Sequence, residues 1–318
     1  MSYFLKRILI SLPTLLAISI VIFLILALAP GDPLSEFGSN PNITPEIREN
    51  IRRSFGLDQP IYIRYFKWLL AFLKGDLGYS FNSRSPVIEL ILQRLPNTLM
   101  VVGIAYIISV IIAIPIGLIS ALKRYSLLDN IISSIALFGY SIPPFFTGLV
   151  LIIIFSVQLK WFPFIYDSNL KIIDFKSFFL QVKQSIMPIT VLSLYQTAVL
   201  MRFMRSSVTE ELNHDYVRTA YSKGLNSYQV VVNHILRNAL IPVVTLIALD
   251  IPSIFTGALV TEQIFRIPGI GALLIESIYR SDTPVVMGVS MIYGILIVTF
   301  NLIADLSYSW LDPRVRQE

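Results

Sequence analysis

Residues 8 to 29 read ILISLPTLLAISIVIFLILALA, an apolar run without a charged side chain. About 20 such residues form a helix long enough to cross about 30 Å of hydrocarbon. The run follows Lys6 and Arg7 and ends in small residues, as a signal peptide does. It is longer than a signal-peptide core of about 7 to 15 residues, and Pro30 follows the small residues directly. We therefore interpret it as a first transmembrane helix and not as a cleaved leader.

The whole chain has the composition of a membrane protein. Of its 318 residues, 55% are hydrophobic and 14% charged, and the mean hydropathy is +0.71. This is more apolar than a soluble domain of the same size requires. We predict an all-α, polytopic membrane protein with six transmembrane helices. The five further spans are predicted at residues 98–122, 131–159, 186–204, 240–261 and 284–308.

The apolar runs also predict the domain organisation. We expect an N-terminal transmembrane helix at 1–29, a large extracytoplasmic loop region at 30–96, a five-helix core at 97–308 and a cytoplasmic tail at 309–318. Within the loop region, Thr44 before Pro45 predicts the start of a short amphipathic helix that ends near Gly56. Residues 61–73 predict a second helix, too short and too charged to cross the membrane.

Basic residues predict the orientation, because short cytoplasmic loops carry an excess of Lys and Arg. An N-terminus inside the cell places the larger number of Lys and Arg residues on the cytoplasmic side. One outer loop, with Lys160, Lys171, Lys176 and Lys183, argues mildly against it. We therefore expect both termini in the cytoplasm. The basic residues then placed inside are Lys6, Arg7, Lys123, Arg124, Arg202, Arg205, Arg218, Lys223, Arg237, Arg314 and Arg316.

Several function classes are disfavoured by what the chain contains. It has no cysteine, so disulfides and thiolate metal sites are excluded. Its net charge of +5 is scattered at the ends of apolar runs, which disfavours nucleic-acid binding. His214 and His234 are the only histidines, Gly269 to Gly271 lacks the residues that cradle phosphate, and Ser120 to Lys123 lacks companion penicillin-binding motifs. We expect no catalytic residue, no metal and no cofactor.

The segment at residues 206–238, called here the 206–238 segment, connects two predicted spans. A connection of this length, rich in helix-compatible residues, should form a small folded element. Tyr216, Ala220 and Gly224 recur at intervals of four, so on a helix they share one face, where Ala and Gly would let another protein approach closely. Composition leaves two interpretations open: a helix that docks on a soluble partner, and a loop that packs on its own helix ends.

The 206–238 segment resembles the EAA loop of ABC importer permeases. It contains DYVRTAYSKGL at 215–225 and HILRNALIP at 234–242. These two stretches are similar in sequence to the oligopeptide, dipeptide and nickel permeases of that family. The Ala and Gly of the general motif match Ala220 and Gly224. Arg218 and Thr219 stand where the general motif has Glu and Ala, a departure that the peptide branch shares.

Other motifs extend the resemblance over essentially the full chain. They are GDP at 31–33, GLDQP at 56–60, GDLG at 75–78, RLPNTL at 94–99, EQIFRIPGIG at 262–271 and LDPR at 311–314. The resemblance implies the type I ABC importer permease fold in the cytoplasmic (inner) membrane. It implies a second, homologous permease subunit that completes a heterodimer, two ATPase subunits, an extracytoplasmic solute-binding protein and membrane lipid. It further implies that the 206–238 segment docks on the ATPase through Asp215, Tyr216, Arg218, Thr219, Ala220, Lys223 and Gly224.

Polar side chains inside the predicted spans are candidates for a translocation path. Asp250 needs an explanation most, because an acid at the membrane centre costs about 2.5 to 3.5 kcal/mol. Two interpretations stay open for it: a path-lining group for a peptide amino terminus or a cation, and a structural hydrogen bond to a neighbouring helix. For Asp305 we favour a structural role. Weaker candidates for the path, each more often a helix-packing contact, are Tyr140, Ser141, Tyr195, Gln196, Ser253 and Thr256.

We therefore predict a permease subunit that forms half of a path for peptides, nickel or related small solutes, with ATP hydrolysis in partner subunits. The alternative is a stand-alone, ion-coupled secondary transporter with Asp250 as the ion site. Six spans, few buried charges and a long docking loop fit that alternative poorly. An intramembrane hydrolase, a third reading, lacks a plausible base.

Overall fold

The computed structural model describes residues 3–28, 44–54, 56–168, 170, 172–256 and 258–311. This part of the chain is helical, apart from one isolated antiparallel bridge between Tyr79 and Pro86. Its α-helices, in chain order, are α1 (Tyr3–Leu28), α2 (Pro45–Ser54), α3 (Ile61–Leu73), α4 (Val87–Thr98), α5 (Ile104–Leu122), α6 (Leu127–Ser141), α7 (Pro144–Leu151), α8 (Phe175–Glu211), α9 (Asp215–Ser222), α10 (Ser227–Val230), α11 (Arg237–Thr256), α12 (Leu259–Phe265), α13 (Ile270–Tyr279) and α14 (Thr283–Leu311).

Three π-helical stretches extend these helices. Leu99–Gly103 joins α4 to α5, Ile152–Gln158 continues α7, and Val231–Leu236 joins α10 to α11. Five helical stretches of the described residues are long and apolar enough to cross a membrane, and two of them, Val87–Leu122 and Ser227–Ile254, include such a join. The five stretches are Leu9–Leu28, Val87–Leu122, Phe175–Glu211, Ser227–Ile254 and Thr283–Ala304. The predicted all-α, polytopic class is confirmed.

The span predicted as one helix at 131–159 is broken. Its two halves, Leu127–Ser141 and Pro144–Gln158, meet at an angle of 95°. The cause is the pair Pro143-Pro144, because a residue before proline is pushed out of the helical conformation. Ile142 and Pro143 accordingly have ψ values of 123° and 136°. The predicted span is therefore not one continuous helix; counted as one broken span, the two halves bring the candidate spans of the described residues to six.

The span predicted at 240–261 also has different limits. It begins within the 206–238 segment, at Ser227, and its α-helix α11 ends at Thr256. Ala258 leaves the helical conformation, with φ −90° and ψ 80°, and the separate helix α12 follows. Thr261 therefore belongs to a short second helix and not to the span.

The described residues fall into two compact units. The first comprises Met1–Pro96 and Pro268–Thr299, and the second comprises Asn97–Ile267 and Phe300–Glu318. The predicted turn at 31–33 lies outside the described residues, as do all but the first residue of the motif at 311–314.

In the first unit, α3 lies against α1. The hydroxyls of Ser19 and Tyr65 are 2.8 Å apart, and the rings of Phe23 and Tyr65 are 5.3 Å apart, edge to face. The predicted helix start at Thr44 is also confirmed, because its hydroxyl accepts a hydrogen bond from the backbone N–H of Ile47 at 3.3 Å. The loop region at 30–96 thus contains helices of its own.

The loop at residues 75–87, called here the 75–87 loop, is held by a buried carboxylate. Asp282, only 3% exposed, accepts hydrogen bonds from the Ser80 hydroxyl at 2.5 Å and from the backbone N–H groups of Phe81 at 3.0 Å and Asn82 at 3.4 Å. The loop also contributes to an apolar cluster, whose buried members are Leu77, Val87, Ile91, Ile270, Leu273, Val285 and Val289. One side chain thus fixes three consecutive residues of the loop.

In the second unit, α5, α6 and α8 pack closely because small residues lie where they cross. Ala113, Ala136 and Ala198 belong to one buried cluster. At Gly117 on α5, an added Cβ would lie 2.7 Å from the Cβ of Met204 on α8. The absence of a side chain at this position is what allows α5 and α8 to approach.

Candidate functional site

The 206–238 segment contains the helix α9, between the ends of α8 and α10. One side of α9 is buried: Val217 and Ala220 are each 4% exposed. They enter an apolar cluster that we call the α9 socket. Its buried members are Ala121, Met204, Val208, Val217, Ala220, Val230, Ile235, Ala239 and Val243. The socket therefore attaches α9 to both long helices that flank it.

The other side of α9 is exposed and charged. The side chains of Asp215 and Arg218 are 96% and 81% exposed, and Thr219, Tyr221 and Ser222 are exposed with them. Asp215 and Arg218 lie 3.9 Å apart, a surface pair that contributes little to stability. These groups are available to a partner because the fold of this chain does not use them.

Tyr216 and Ala220 share one side of α9 as predicted, but that side packs on the α9 socket, so the prediction that Ala220 admits another protein is wrong. Ala220 points into the α9 socket and Tyr216 packs beside it, so the small residue admits the chain's own helices and not a foreign surface. Gly224 lies beyond the end of α9 with φ +82°, where an added Cβ would meet no atom within 4 Å. Lys223 is exposed at the C-cap. Sequence spacing gave the period of the helix but not the side on which the rest of the chain would lie.

Tyr216 links α9 to the end of α8. Its hydroxyl donates a hydrogen bond to the carboxylate of Glu211, and its ring stacks on His214 with centroids 5.8 Å apart. Burial, with the hydrogen bond to Glu211, raises the pKa of Tyr216 to about 12. The phenol is therefore neutral near pH 7 and holds the turn as a hydrogen-bond donor.

A buried ion pair lies between α6 and α8. The Asp129 side chain is 2% exposed, and Arg205 donates to both of its oxygens at 2.8 Å. The Ser120 hydroxyl at 2.5 Å, the Tyr125 N–H at 2.9 Å and the Ser133 hydroxyl at 3.3 Å also donate to it. Sequence reasoning missed this pair and counted Arg205 only as an orientation signal. The available signal was an acid three residues after Ser126, whose side chain caps α6.

A second buried carboxylate, Glu262 on α12, also escaped the sequence analysis. It is 1% exposed and accepts a hydrogen bond from the Thr98 hydroxyl at 2.9 Å. The only sequence signal was an acid within the motif at 262–271, and it does not reveal a partner 164 residues away.

Two of the path candidates meet across helices. Gln196 on α8 donates a side-chain hydrogen bond to the carboxylate of Asp250 on α11. Ser253 donates to the backbone carbonyl of Asp250 at 2.6 Å, so its hydroxyl satisfies its own helix. The hydrogen bond from Gln196 supports the structural interpretation of Asp250, a residue that is only partly buried.

Two further path candidates form an aromatic pair. The rings of Tyr140 on α6 and Tyr195 on α8 stack with centroids 5.7 Å apart. The Arg202 guanidinium lies over the Tyr140 ring, 5.9 Å from its centroid. Ser141 donates to the Leu137 carbonyl of its own helix at 2.7 Å. The side chains of Thr256 and Asp305 lie outside the described part of the structure.

The described residues contain no group of three or more His, Asp or Glu side chains that could hold a metal. The described residues form a multi-pass helical membrane protein with a short helix, exposed on one side, between two of its spans.

The sequence matches two family models. One, described as binding-protein-dependent transport system inner membrane component, matches residues 113–317, and the N-terminal model of the same component matches residues 1–102. The chain belongs to this family. It is a permease subunit of an ABC importer and a multi-pass inner-membrane protein, and its family works with ATPase subunits and a solute-binding protein.

Curated relatives cover almost the whole chain. The oligopeptide transport system permease protein AppB of Bacillus subtilis is 40% identical over 316 residues, 99% of both chains. The dipeptide transport system permease protein DppB of Escherichia coli K12 is 36% identical over 337 residues, 100% of this chain and 99% of the relative. The predicted family and the predicted transport function, which is not enzymatic, are confirmed.

Proposed function

We propose that this chain is one of two homologous permease subunits of a peptide importer and has both termini in the cytoplasm. The names of AppB and DppB support oligopeptides or dipeptides as the solute class. The partner subunit completes a heterodimer, and a solute-binding protein delivers peptide to the outer face. Lipid surrounds the exposed apolar side chains of the spans, such as Leu12, Ile25 and Ile111.

The observation that carries this proposal is the two-sided structure of α9. Its apolar side is held by the α9 socket, so a displacement of α9 is transmitted to α8 and α11. Its charged side, with Asp215, Arg218 and Thr219, is the surface that docks on an ATPase subunit. Closure of the ATPase pair on ATP then moves the spans and alternates access to the path.

Within the proposed path, Asp250 and Gln196 form a polar contact between α11 and α8. Tyr140 and Tyr195 form an aromatic stack beside it on α6 and α8. An acid in a span faces protein or water, and an aromatic pair can close a passage against small solutes. We assign Asp250, Gln196, Tyr140 and Tyr195 to the path wall, with Ser253 and Thr256 following on the α11 side.

Reconstitution tests the function. Liposomes that hold the two permease subunits and the ATPase subunits should take up labelled peptide when the binding protein and ATP are supplied. Omission of ATP, or of the ATPase subunits, should abolish uptake. Uptake by this chain alone, driven by a proton or sodium gradient, would overturn the proposal in favour of a secondary transporter.

Single cysteines test the orientation, because the chain has none of its own. Arg218→Cys should react with a membrane-impermeant maleimide only when the cytoplasmic face is accessible. Tyr79→Cys, which is 57% exposed in the 75–87 loop, should react only from the outer face. The reverse pattern would contradict the proposed topology.

A further inference from the structure

A cavity in the second unit carries two opposite charges. It measures about 610 Å³, within the range of about 300 to 1,000 Å³ typical of small-ligand sites. Its wall is formed mainly by α8, with Tyr140 from α6 and Pro242 from α11. The α8 side chains that line it are Val199, Arg202, Phe203, Ser206, Ser207 and Glu210.

Three polar residues of the cavity lie on one face of α8. Arg202, Ser206 and Glu210 are spaced four apart, so they follow one another along the helix on the same side. All three are exposed in this chain. Arg202 lies at the proposed cytoplasmic end of the span predicted at 186–204, and Ser206 and Glu210 lie beyond that span, so water can solvate the guanidinium and the carboxylate. The cavity therefore lies at the proposed cytoplasmic end of α8, where a solute in transit would leave the spans.

Neither charge is neutralised within the described residues. Arg202 contacts the Tyr140 ring but has no ion-pair partner there, whereas the neighbouring Arg205 is fully engaged by Asp129. Eight residues separate Arg202 from Glu210, a rise of about 12 Å along the helix, so the two do not pair with each other. The cavity presents a cation and an anion whose backbone positions are about 12 Å apart along α8.

We infer that this cavity binds the two termini of a short peptide in transit, the terminal carboxylate at Arg202 and the terminal ammonium at Glu210. An extended chain spans about 3.3 to 3.6 Å per residue, so about 12 Å corresponds to three or four residues. A guanidinium can bind a carboxylate through two parallel hydrogen bonds. The apolar ring of Tyr140 forms a wall that accepts different side chains. The inference rests on the proposed function and adds the recognised groups to it.

The test uses Ser206→Cys as a reporter inside the cavity, in a chain that has no other cysteine. The complete complex of both permease subunits and the ATPases is purified, and maleimide labelling is measured with trialanine, its C-terminal amide and its N-acetyl derivative. Trialanine should slow the labelling. Either modified peptide should need an about tenfold higher concentration for the same protection. Lys123→Cys, exposed in the turn before α6, should label at one rate throughout.

Two matched variants test which residue binds which end of the peptide. Arg202→Gln should abolish the preference for the free carboxylate and keep the preference for the free ammonium, and Glu210→Gln should do the reverse. Arg202→Lys, which keeps the charge, should retain most of the carboxylate preference. Opposite changes in one cavity cannot result from simple misfolding.

Three outcomes would overturn the inference. They are equal protection by all three peptides, no protection by any, and a Ser206→Cys that is unreactive in the complete complex because another subunit covers it. Peptide uptake by the wild-type complex is measured in parallel. Normal uptake together with one of these outcomes rejects the cavity and leaves the proposed importer function in place.

Discussion

The 75–87 loop and α9 are both short connections at helix ends, but they are held by different forces. Besides the apolar contacts of Leu77 and Val87, the loop is held by a buried carboxylate, with Asp282 as the acceptor for three successive residues. In contrast, α9 is held mainly by apolar side chains of the α9 socket, with one side-chain hydrogen bond from Tyr216 to Glu211, and its own charges are exposed.

The difference indicates what each region can do. Hydrogen bonds to one carboxylate have strict geometry, so the loop is fixed in one conformation. Apolar contacts are not directional, so a helix held by them can shift as a body and stay attached. A connection that transmits movement fits the second arrangement, and a connection that keeps a fixed shape fits the first.

The largest expected effect is at Asp282. Asp282→Ala removes the acceptor for the Ser80 hydroxyl and for two backbone N–H groups, and buried donors without partners are costly. We expect a loss of about 2–4 kcal/mol in the free energy of unfolding. Thermal unfolding of the purified protein in detergent measures it, with the exposed Asp58→Ala as control. An unchanged unfolding midpoint would show that the loop does not depend on this carboxylate.

A smaller effect is expected in the α9 socket. Ala220→Leu adds volume to a closely packed position and should cost about 1–3 kcal/mol, with displacement of α9 and loss of ATPase association. Thr219→Leu introduces the same side chain at the adjacent exposed position and should leave the unfolding free energy nearly unchanged. Equal destabilisation by the two variants would mean that the socket does not hold α9.

Two glycines offer a matched pair, one at the start of the 75–87 loop and one just after α9. Gly75 and Gly224 both have φ +82° with no atom within 4 Å of an added Cβ. Gly75→Ala and Gly224→Ala should each cost about 1 kcal/mol, because only the backbone conformation is penalised. Co-purification with the ATPase subunits should fall for Gly224→Ala alone. A loss of association with Gly75→Ala as well would break the distinction between the two regions.

The smallest effect on stability is expected on the exposed side of α9. Arg218→Glu should change the unfolding free energy by less than about 0.5 kcal/mol, because the side chain is 81% exposed. It should nevertheless weaken co-purification with the ATPase subunits, since it reverses the charge of the proposed docking surface. Lys123→Glu is the control for a charge reversal elsewhere. Full association of the Arg218 variant would count against docking through this side.

Local patterns in the sequence were enough to predict most of the helical architecture and the family. An apolar run needs no distant partner to reveal a span, and the motif at 215–225 identified the 206–238 segment and its place between two spans. The break at Ile142 was also visible in Pro143-Pro144, but its effect was underestimated. The predicted limits of the span at 240–261 were wrong for a related reason, because the end of a helix inside an apolar run leaves little trace in composition.

Contacts between residues far apart in the chain could not be predicted from the sequence. Asp129 and Arg205 are 76 residues apart, and Asp282 is 202 residues from Ser80. A single sequence marks an acid but not its partner, because the partner is chosen by how the helices pack.

The sequence by itself determined that this chain is a helical membrane permease, because hydrophobic length and a local motif are properties of neighbouring residues. Only the tertiary structure decided that Ala220 faces inward, that Arg205 is neutralised and that Arg202 and Glu210 share a cavity. The physical reason is that a helix has the same period on every side, and only the helices packed against it determine which side is buried.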